Sequence, residues 1–174
     1  RKHYEILHFA RRNIKVANIP FYVKSIAPNS FEDCIHLHKI NFSPGSKLIE
    51  IRNFSFSNSS INSISIPSYV LKISQCAFQN TRRLKNVVVS NDSQLRIIEK
   101  KAFYSSGVQY INIPSSVSII DENAFDQCKK LKRLAFSDNS NLKKIEKQSF
   151  QNTDLTSFSI PSSVVFIDNS AFND

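Results

Sequence analysis

The chain has 174 residues, a formal net charge of +9, a hydrophobic fraction of 41%, and 14 Phe without any Trp or Met. This composition is typical of a folded domain rather than a disordered one, and the length allows a substantial core. The presence of only two glycines excludes glycine-rich phosphate-binding loops. No apolar run approaches the roughly 20 residues that span a bilayer, so we expect no direct membrane insertion by this segment.

An internal repeat of 47 residues runs through the whole chain. An Ile-Pro step recurs at Ile19-Pro20, Ile66-Pro67, Ile113-Pro114 and Ile160-Pro161. A closing aromatic recurs in the same register at Phe31, Phe78, Phe125 and Phe172. A fixed period of this kind predicts a solenoid in which successive coils stack and share one continuous core.

Each 47-residue block contains two units, of 23 and 24 residues, that share a short apolar template. The template fits seven segments: Ile14–Ile19, Leu37–Phe42, Ile61–Ile66, Leu84–Val89, Val108–Ile113, Leu131–Phe136 and Leu155–Ile160. Their last residues alternate with a period of two and are mostly β-branched or aromatic, which predicts short strands. A proline follows the strand in one kind of unit, and a Ser/Asp/Asn turn follows it in the other.

The chain must turn back after each strand. The stretch Ile120–Phe125 offers an acidic first turn and an alanine, which predicts a single turn of helix on the far side of the coil. We therefore expect one domain over residues 1–174, an α/β solenoid. Its parallel sheet should form the concave face, and short helical turns or irregular segments should form the convex face.

The segment Leu155–Phe172 resembles the BspA-like, or Treponema pallidum-type, leucine-rich repeat, LxxIxIPxxVxxIxxxAFxxC. Cys34 and Cys128 match the terminal cysteine of this pattern, and Thr81 replaces it in the second block. The resemblance covers essentially the whole chain and implies a right-handed leucine-rich-repeat coil. The Ser/Asp/Asn turns of the alternate units, together with the many Asn, Ser, Ile, Lys and Phe residues, resemble protist, Trichomonas-like members.

The resemblance also implies a function. It implies a cell-surface or secreted array of adhesion repeats that contacts host or neighbouring-cell proteins, including extracellular-matrix or cell-surface proteins, without catalysis. An intracellular, cytoplasmic scaffold for protein–protein assembly remains the alternative. The chain lacks a starting Met and stops after Phe172, so we expect it to be a piece of a longer array.

The exposed face of the sheet should consist of the residues that lie between the inward-pointing ones. This row is mostly small and polar, but Tyr110 and Arg133 belong to the residue types favoured at binding hot spots. The candidate protein-binding residues on this face are Lys39, Asn41, Asn86, Val88, Tyr110, Asn112 and Arg133.

Basic residues recur at one repeat position, which predicts a ridge along one edge of the sheet. The polyanion ridge consists of Arg82, Arg83, Lys85, Lys129, Lys130 and Lys132. Such a ridge attracts polyanions, so a sulfated glycan or an acidic protein patch is a candidate partner. The alternative, that these residues only solubilise the surface, stays open. Nucleic acid is not an expected partner, because no row of exposed aromatic residues accompanies the charges.

No combination of residues predicts catalysis, a cofactor site or a metal site. Cys34 and Cys128 share a repeat position but lie four coils apart, roughly 19 Å at the usual strand spacing. Cys76 lies two coils from each of them at a different repeat position, so we expect three free, mostly buried thiols. His36 and His38 are two residues apart, and no further ligands stand at a spacing that suits zinc.

Overall fold

A computed structural model describes residues 5–173, so the ends of the predicted domain, residues 1–4 and 174, lie outside the described part. The described residues form a parallel β-solenoid in which every full coil contributes one strand to each of two faces. The predicted stacking of coils and the predicted parallel pairing are confirmed. Within residues 5–173 there is no helix, so the predicted helical turns on the convex face are wrong.

Six strands of four residues form one side of the solenoid, called the long-strand face here. They are β2 (Val16–Ile19), β4 (Lys39–Phe42), β6 (Ser63–Ile66), β8 (Asn86–Val89), β10 (Tyr110–Ile113) and β12 (Arg133–Phe136). Alternate residues point into the core, as in β6, where Ile64 and Ile66 are buried while Ser63 and Ser65 are exposed. Each strand occupies the last four residues of a predicted segment, so six of the seven predicted strands form.

The seventh predicted strand, residues 155–160, does not form. This segment follows the template, but no further strand of the described residues lies beyond it to share its backbone hydrogen bonds. Leu155 and Phe158 pack only partly against the core, and Ile160 is 43% exposed. Pro161 also lacks the N–H that could pair the end of this segment with β12.

A second sheet, which the sequence analysis did not predict, lies on a neighbouring side. Its eight two-residue strands are β1 (Ile6–Leu7), β3 (Ser25–Ile26), β5 (Glu50–Ile51), β7 (Lys72–Ile73), β9 (Ile97–Ile98), β11 (Ile119–Ile120), β13 (Lys144–Ile145) and β14 (Phe166–Ile167), in that order across the sheet. The predicted helical turn at Ile120 therefore begins in a strand, because β11 pairs with β9 and β13. The buried isoleucines of this column, such as Ile73 and Ile120, are β-branched and favour strands.

One column of phenylalanine rings runs through the core from coil to coil. The phenylalanine ladder consists of Phe31, Phe56, Phe78, Phe103, Phe125, Phe150 and Phe172. Neighbouring ring centroids lie 5.0–5.2 Å apart, and the ring planes differ by at most 7°. The first six rings are buried, so both kinds of unit contribute the same element to the core.

The segment around each ladder phenylalanine forms the back wall of the solenoid. In six coils the residues two before and two after the phenylalanine have left-handed backbone, with φ between 53° and 60°. These residues are Asn29, Asp33, Phe54, Asn58, Cys76, Asn80, Lys101, Ser105, Asn123, Gln127, Gln148 and Asn152. An α-helix needs consecutive right-handed residues, so the two left-handed residues four positions apart in each of these coils exclude it.

Backbone hydrogen bonds join the back walls of successive coils. The N–H of Phe78 donates to the carbonyl of Ala102 at 2.7 Å, and the N–H of Asn80 donates to the carbonyl of Tyr104 at 2.8 Å. Three such bonds, from the two left-handed residues and the phenylalanine, connect each coil from Phe31 to Phe125 with the next. The back wall is thus a ladder between coils instead of a row of helical turns.

Candidate functional site

The long-strand face presents the seven residues predicted to bind a partner. Lys39, Asn86, Val88, Tyr110 and Arg133 are exposed, and Asn41 and Asn112 are partly exposed. The alternation of the strands explains this placement, because the seven residues occupy the first or third position of their strands, whereas the second and fourth positions point inward. Whether these residues bind a partner stays a prediction.

Tyr110 is at the centre of the predicted set. Strand register places it opposite Asn86 of β8 on one side and opposite Arg133 of β12 on the other. The guanidinium carbon of Arg133 lies 5.5 Å from the centroid of the Tyr110 ring. A cation–π contact at an exposed site contributes about 0.5–1 kcal/mol, so the two side chains hold each other in place.

The long-strand sheet is not evenly paired. The borders β2/β4, β6/β8 and β10/β12 are closed, since the strands pair over all four residues. The border β8/β10 pairs only at Tyr110 and Asn86, and β4 and β6 do not pair. Closed and open borders therefore alternate along the sheet, and one closed plus one open border together span the 47-residue period of the sequence.

Proline removes a hydrogen-bond donor at each of these open borders. At the closed β10/β12 border, the N–H of Ser137 donates to the carbonyl of Ile113 at 3.0 Å. The equivalent residue is Pro67 at the β4/β6 border and Pro114 at the β8/β10 border. Proline has no N–H, so the last hydrogen bond of the ladder cannot form there and the ends of the strands separate.

A cleft lies at each open border. The β8/β10 cleft has a volume of about 350 Å³ and is lined by Asn86, Val87, Val88, Val89, Tyr110 and Asn112, four of which belong to the predicted set. Val88 is 56% exposed and Tyr110 is 42% exposed at this cleft. The open border therefore brings the two largest apolar side chains of the predicted set together around one depression.

The β4/β6 cleft has a volume of about 450 Å³ and includes Asn41. Asn41 also donates a side-chain hydrogen bond to Asn18 at 2.8 Å, so its amide is already engaged within the sheet. Lys39 does not line this cleft. Tyr69, 56% exposed at the cleft, was missed by the sequence analysis. The sequence did contain a signal for Tyr69. Serine stands at the equivalent position 116 of the next block, which indicates that this position points away from the core.

The polyanion ridge is exposed along all six of its predicted residues. Lys132 forms an ion pair with Asp154 at 3.5 Å, and both side chains are more than half exposed. Arg82, Lys129 and Lys130 line one depression of about 330 Å³. The structure thus brings half of the ridge together, whereas Arg83 and Lys85 lie outside this depression.

The three cysteines are free and buried, as predicted. Burial raises the pKa of all three thiols, and that of Cys128 to about 12. The Cys128 thiol donates to the carbonyl of Phe103 at 3.0 Å and lies 3.3 Å from the hydroxyl of Ser106. A thiol held protonated in this way is a packing group and not a nucleophile at neutral pH.

Metal sites and membrane-spanning helices have no support in residues 5–173. His36 and His38 are exposed, and within this range no three side chains of His, Cys, Asp or Glu gather as metal ligands would. The same residues contain no helix with the length and hydropathy of a membrane span.

Comparison with solved structures shows the same fold in larger proteins. A leucine-rich repeat protein from Eubacterium ventriosum superposes with a TM-score of 0.79 at 20% identity, covering 97% of this chain and 45% of that one. The pneumococcal vaccine antigen PcpA gives a TM-score of 0.62 at 19% identity, covering 88% and 58%. A leucine-rich cell surface protein from Faecalibacterium prausnitzii gives 0.53 at 20% identity, covering 91% and 58%.

The chain spans about half the length of these solved structures. No curated protein sequence matches it. The family model for the BspA type leucine-rich repeat region matches residues 7–94 and 49–174, which together include nearly the whole chain. The chain therefore belongs to the BspA-type leucine-rich repeat family.

Proposed function

We propose that the chain is a non-catalytic protein-binding domain of a cell-surface or secreted adhesin. Its long-strand face would hold a host or neighbouring-cell protein at the β8/β10 cleft. The observation that carries this proposal is the exposed group of Tyr110, Val88 and Arg133 around the cleft. Aromatic residues and arginine dominate binding energy at interfaces, where they fill or flank pockets.

The geometry of the cleft supports binding rather than packing. Val88 and Tyr110 cannot turn into the core, because the buried sides of β8 and β10 already hold Val87, Val89 and Ile111. An apolar side chain held rigidly on a strand loses little conformational entropy when a partner covers it. The Arg133 contact further restricts Tyr110 before any partner arrives.

The surface location draws on the similar proteins. One of them is described as a pneumococcal vaccine antigen and another as a cell surface protein. The protist source suggested by the composition belongs to the same proposal. The second candidate, an intracellular scaffold, is favoured by the three free cysteines, since the fold needs no disulfide and hence no oxidising compartment.

The binding test uses a sensor coated with solubilised basement membrane as the probe. We expect the wild-type chain to bind and the double variant Tyr110→Ser/Arg133→Ser to bind about tenfold or more weakly, as for loss of a hot-spot pair. The matched control is Lys101→Ser/Tyr104→Ser, which removes a second cation–tyrosine pair, also at 5.5 Å, from the back wall. Wild-type chain that does not bind, or equal losses in both variants, would contradict the proposal.

The location test uses an antibody against this chain on cells of the source organism. Labelling of intact cells supports the adhesin, whereas labelling that requires permeabilisation overturns the surface location and favours the scaffold. The two tests are independent, because a scaffold could use the same face for a different protein.

A further inference from the structure

Two pairs of basic residues project from alternate coils beside the long-strand face. Arg82-Arg83 and Lys129-Lys130 follow the ladder residues Phe78 and Phe125, and all four side chains are exposed. Each of these two coils has one extra residue between its ladder phenylalanine and its long strand, compared with the intervening coil. The extra residue makes both pairs protrude, and two coil spacings place them about 10 Å apart.

The intervening coil forms a low floor between the two pairs. The depression, called the basic groove here, is lined by Arg82, Ser105, Ser106, Gly107, Gln127, Lys129 and Lys130. A Cβ atom on Gly107 would lie 2.2 Å from the carbonyl oxygen of Arg82, so only glycine allows the coils to approach this closely. The N–H of Gly107 donates to the carbonyl of Thr81 at 3.1 Å and fixes the floor.

The charges of the groove are not neutralised by the protein. Lys85 and Lys132 continue the basic residues toward the strands, and Lys132 alone of the ridge has an ion-pair partner, Asp154, within the described residues. Asp126 is close in the fold, but its buried carboxylate accepts hydrogen bonds from Asn123 and Asn152 and forms no ion pair within the described residues. The groove's lining residues include three basic side chains and no carboxylate, so the groove has an excess of positive charge.

The groove is distinguished by the grouping of its charges. Lys24, Arg52, Lys72 and Lys100 each form an ion pair of 2.7–2.9 Å with Glu5, Glu50 or Glu122, whereas other exposed basic residues such as Lys143 form none within the described residues. In the groove, three basic side chains line one depression that has no carboxylate among its lining residues. This grouping suits an anion that the chain does not itself contain.

We propose that the basic groove binds a linear sulfated polysaccharide. All seven lining residues are polar or glycine, so the groove lacks the aromatic anchors that are enriched at protein interfaces. It also lacks an aromatic residue on which a nucleobase could stack. Sulfate groups would contact Arg82, Lys129 and Lys130 through charge-assisted hydrogen bonds, and sugar hydroxyls would contact Ser105 and Gln127. This site is separate from the β8/β10 cleft and independent of the proposed protein partner.

The test measures binding of heparin, desulfated heparin and polyglutamate by titration calorimetry at a fixed salt concentration. We expect heparin to bind, and Arg82→Ser/Lys129→Ser/Lys130→Ser to weaken it about tenfold or more through the loss of three charge-assisted contacts. The matched control Lys143→Ser/Lys144→Ser/Lys147→Ser removes the same charge from exposed positions elsewhere and should change affinity about twofold or less at moderate ionic strength.

A second pair of variants tests the groove without removing a basic side chain. Gln127→Glu places a carboxylate among the lining residues and should weaken heparin binding, whereas Gln94→Glu, with the same change in net charge outside the groove, should not. Equal losses in the two triple variants would overturn the proposal in favour of a net-charge effect. Equal affinity for desulfated heparin, or tighter binding of polyglutamate than of heparin, would also overturn it.

Discussion

The back wall and the long-strand face belong to the same coils but join them in different ways. Along the back wall, each coil from Phe31 to Phe125 meets the next through three backbone hydrogen bonds and one stacked ring pair. On the long-strand face, closed and open borders alternate. The back wall and the eight-stranded sheet keep the stack continuous, so the long-strand face can open clefts without dividing the core.

Removing one ring from the phenylalanine ladder should have the largest effect on stability. Phe125 is buried and stacks on Phe103 and Phe150 at 5.1 and 5.2 Å, so Phe125→Ala leaves a cavity with partners on both sides. We expect the free energy of unfolding to fall by about 3–5 kcal/mol. Chemical denaturation monitored by circular dichroism measures this loss.

Ser115→Ala, at a partly exposed turn on the other side of the coil, is the control and should be nearly silent. Comparable unfolding free energies for the Phe125→Ala and Ser115→Ala variants would show that the ladder does not hold the stack together.

Exchanging serine and proline at the position after a long strand should have an intermediate effect on stability. Ser137→Pro removes the N–H that donates to Ile113 and should open the β10/β12 border, at a cost of about 1–3 kcal/mol for the unpaired buried group. The control Ser137→Ala keeps this N–H and loses only the hydroxyl that accepts from Asn112. Hydrogen exchange of the flanking amides reports whether the strands have separated.

The reverse exchange, Pro67→Ser, supplies the donor that the β4/β6 border lacks. We expect slow hydrogen exchange at the new amide and a change in stability within about 1 kcal/mol, because the gained hydrogen bond offsets the greater freedom of the unfolded chain. Fast exchange at position 67 would mean that something other than proline holds β4 and β6 apart.

The Cys128 thiol has an effect on stability that depends on pH and is absent at neutral pH. The folded chain keeps the Cys128 proton up to a pKa of about 12, whereas the ordinary value is 9.0. The folded state thus binds the proton over a range in which the unfolded state releases it, so this contribution is complete below pH 9 and declines as the pH rises toward 12.

Cys128→Ala should make the decline in unfolding free energy above pH 9 shallower, by at most about 1.4 kcal/mol per pH unit. Urea unfolding at pH 8.5 to 10.5 in a reducing buffer measures how the unfolding free energy changes with pH. Equal slopes for the wild-type and Cys128→Ala chains would contradict a raised pKa of the Cys128 thiol.

Recurring single positions made the stack predictable. The columns of Ile-Pro and Phe residues recur without slippage, so the coil length, the inward-pointing residues and six of the long strands followed from periodicity. The second sheet could not be seen in this way, because a two-residue strand such as Ile119–Ile120 is too short to show alternation. The left-handed positions were hidden for another reason, since Phe54 and Lys101 are not residue types that favour this backbone.

The candidate site was predictable in its members but not in its shape. Alternation within each single strand identified Val88 of β8 and Tyr110 of β10 as outward-pointing residues. The cleft between them depends on how two neighbouring strands pair, and the sequence alone indicates only that Pro114 ends one strand. Its effect on the preceding coil, whose carbonyl loses a donor, required the register of both strands.

The alternation of Ser137-type and Pro114-type corners sets the step by which such an array can grow or shrink. Duplicating or deleting a single 23- or 24-residue unit would place two corners of one kind side by side and change the neighbouring border. A step of 47 residues preserves every existing border and adds or removes one complete cleft. Gene rearrangement in whole blocks would therefore alter the number of clefts while each one kept its shape.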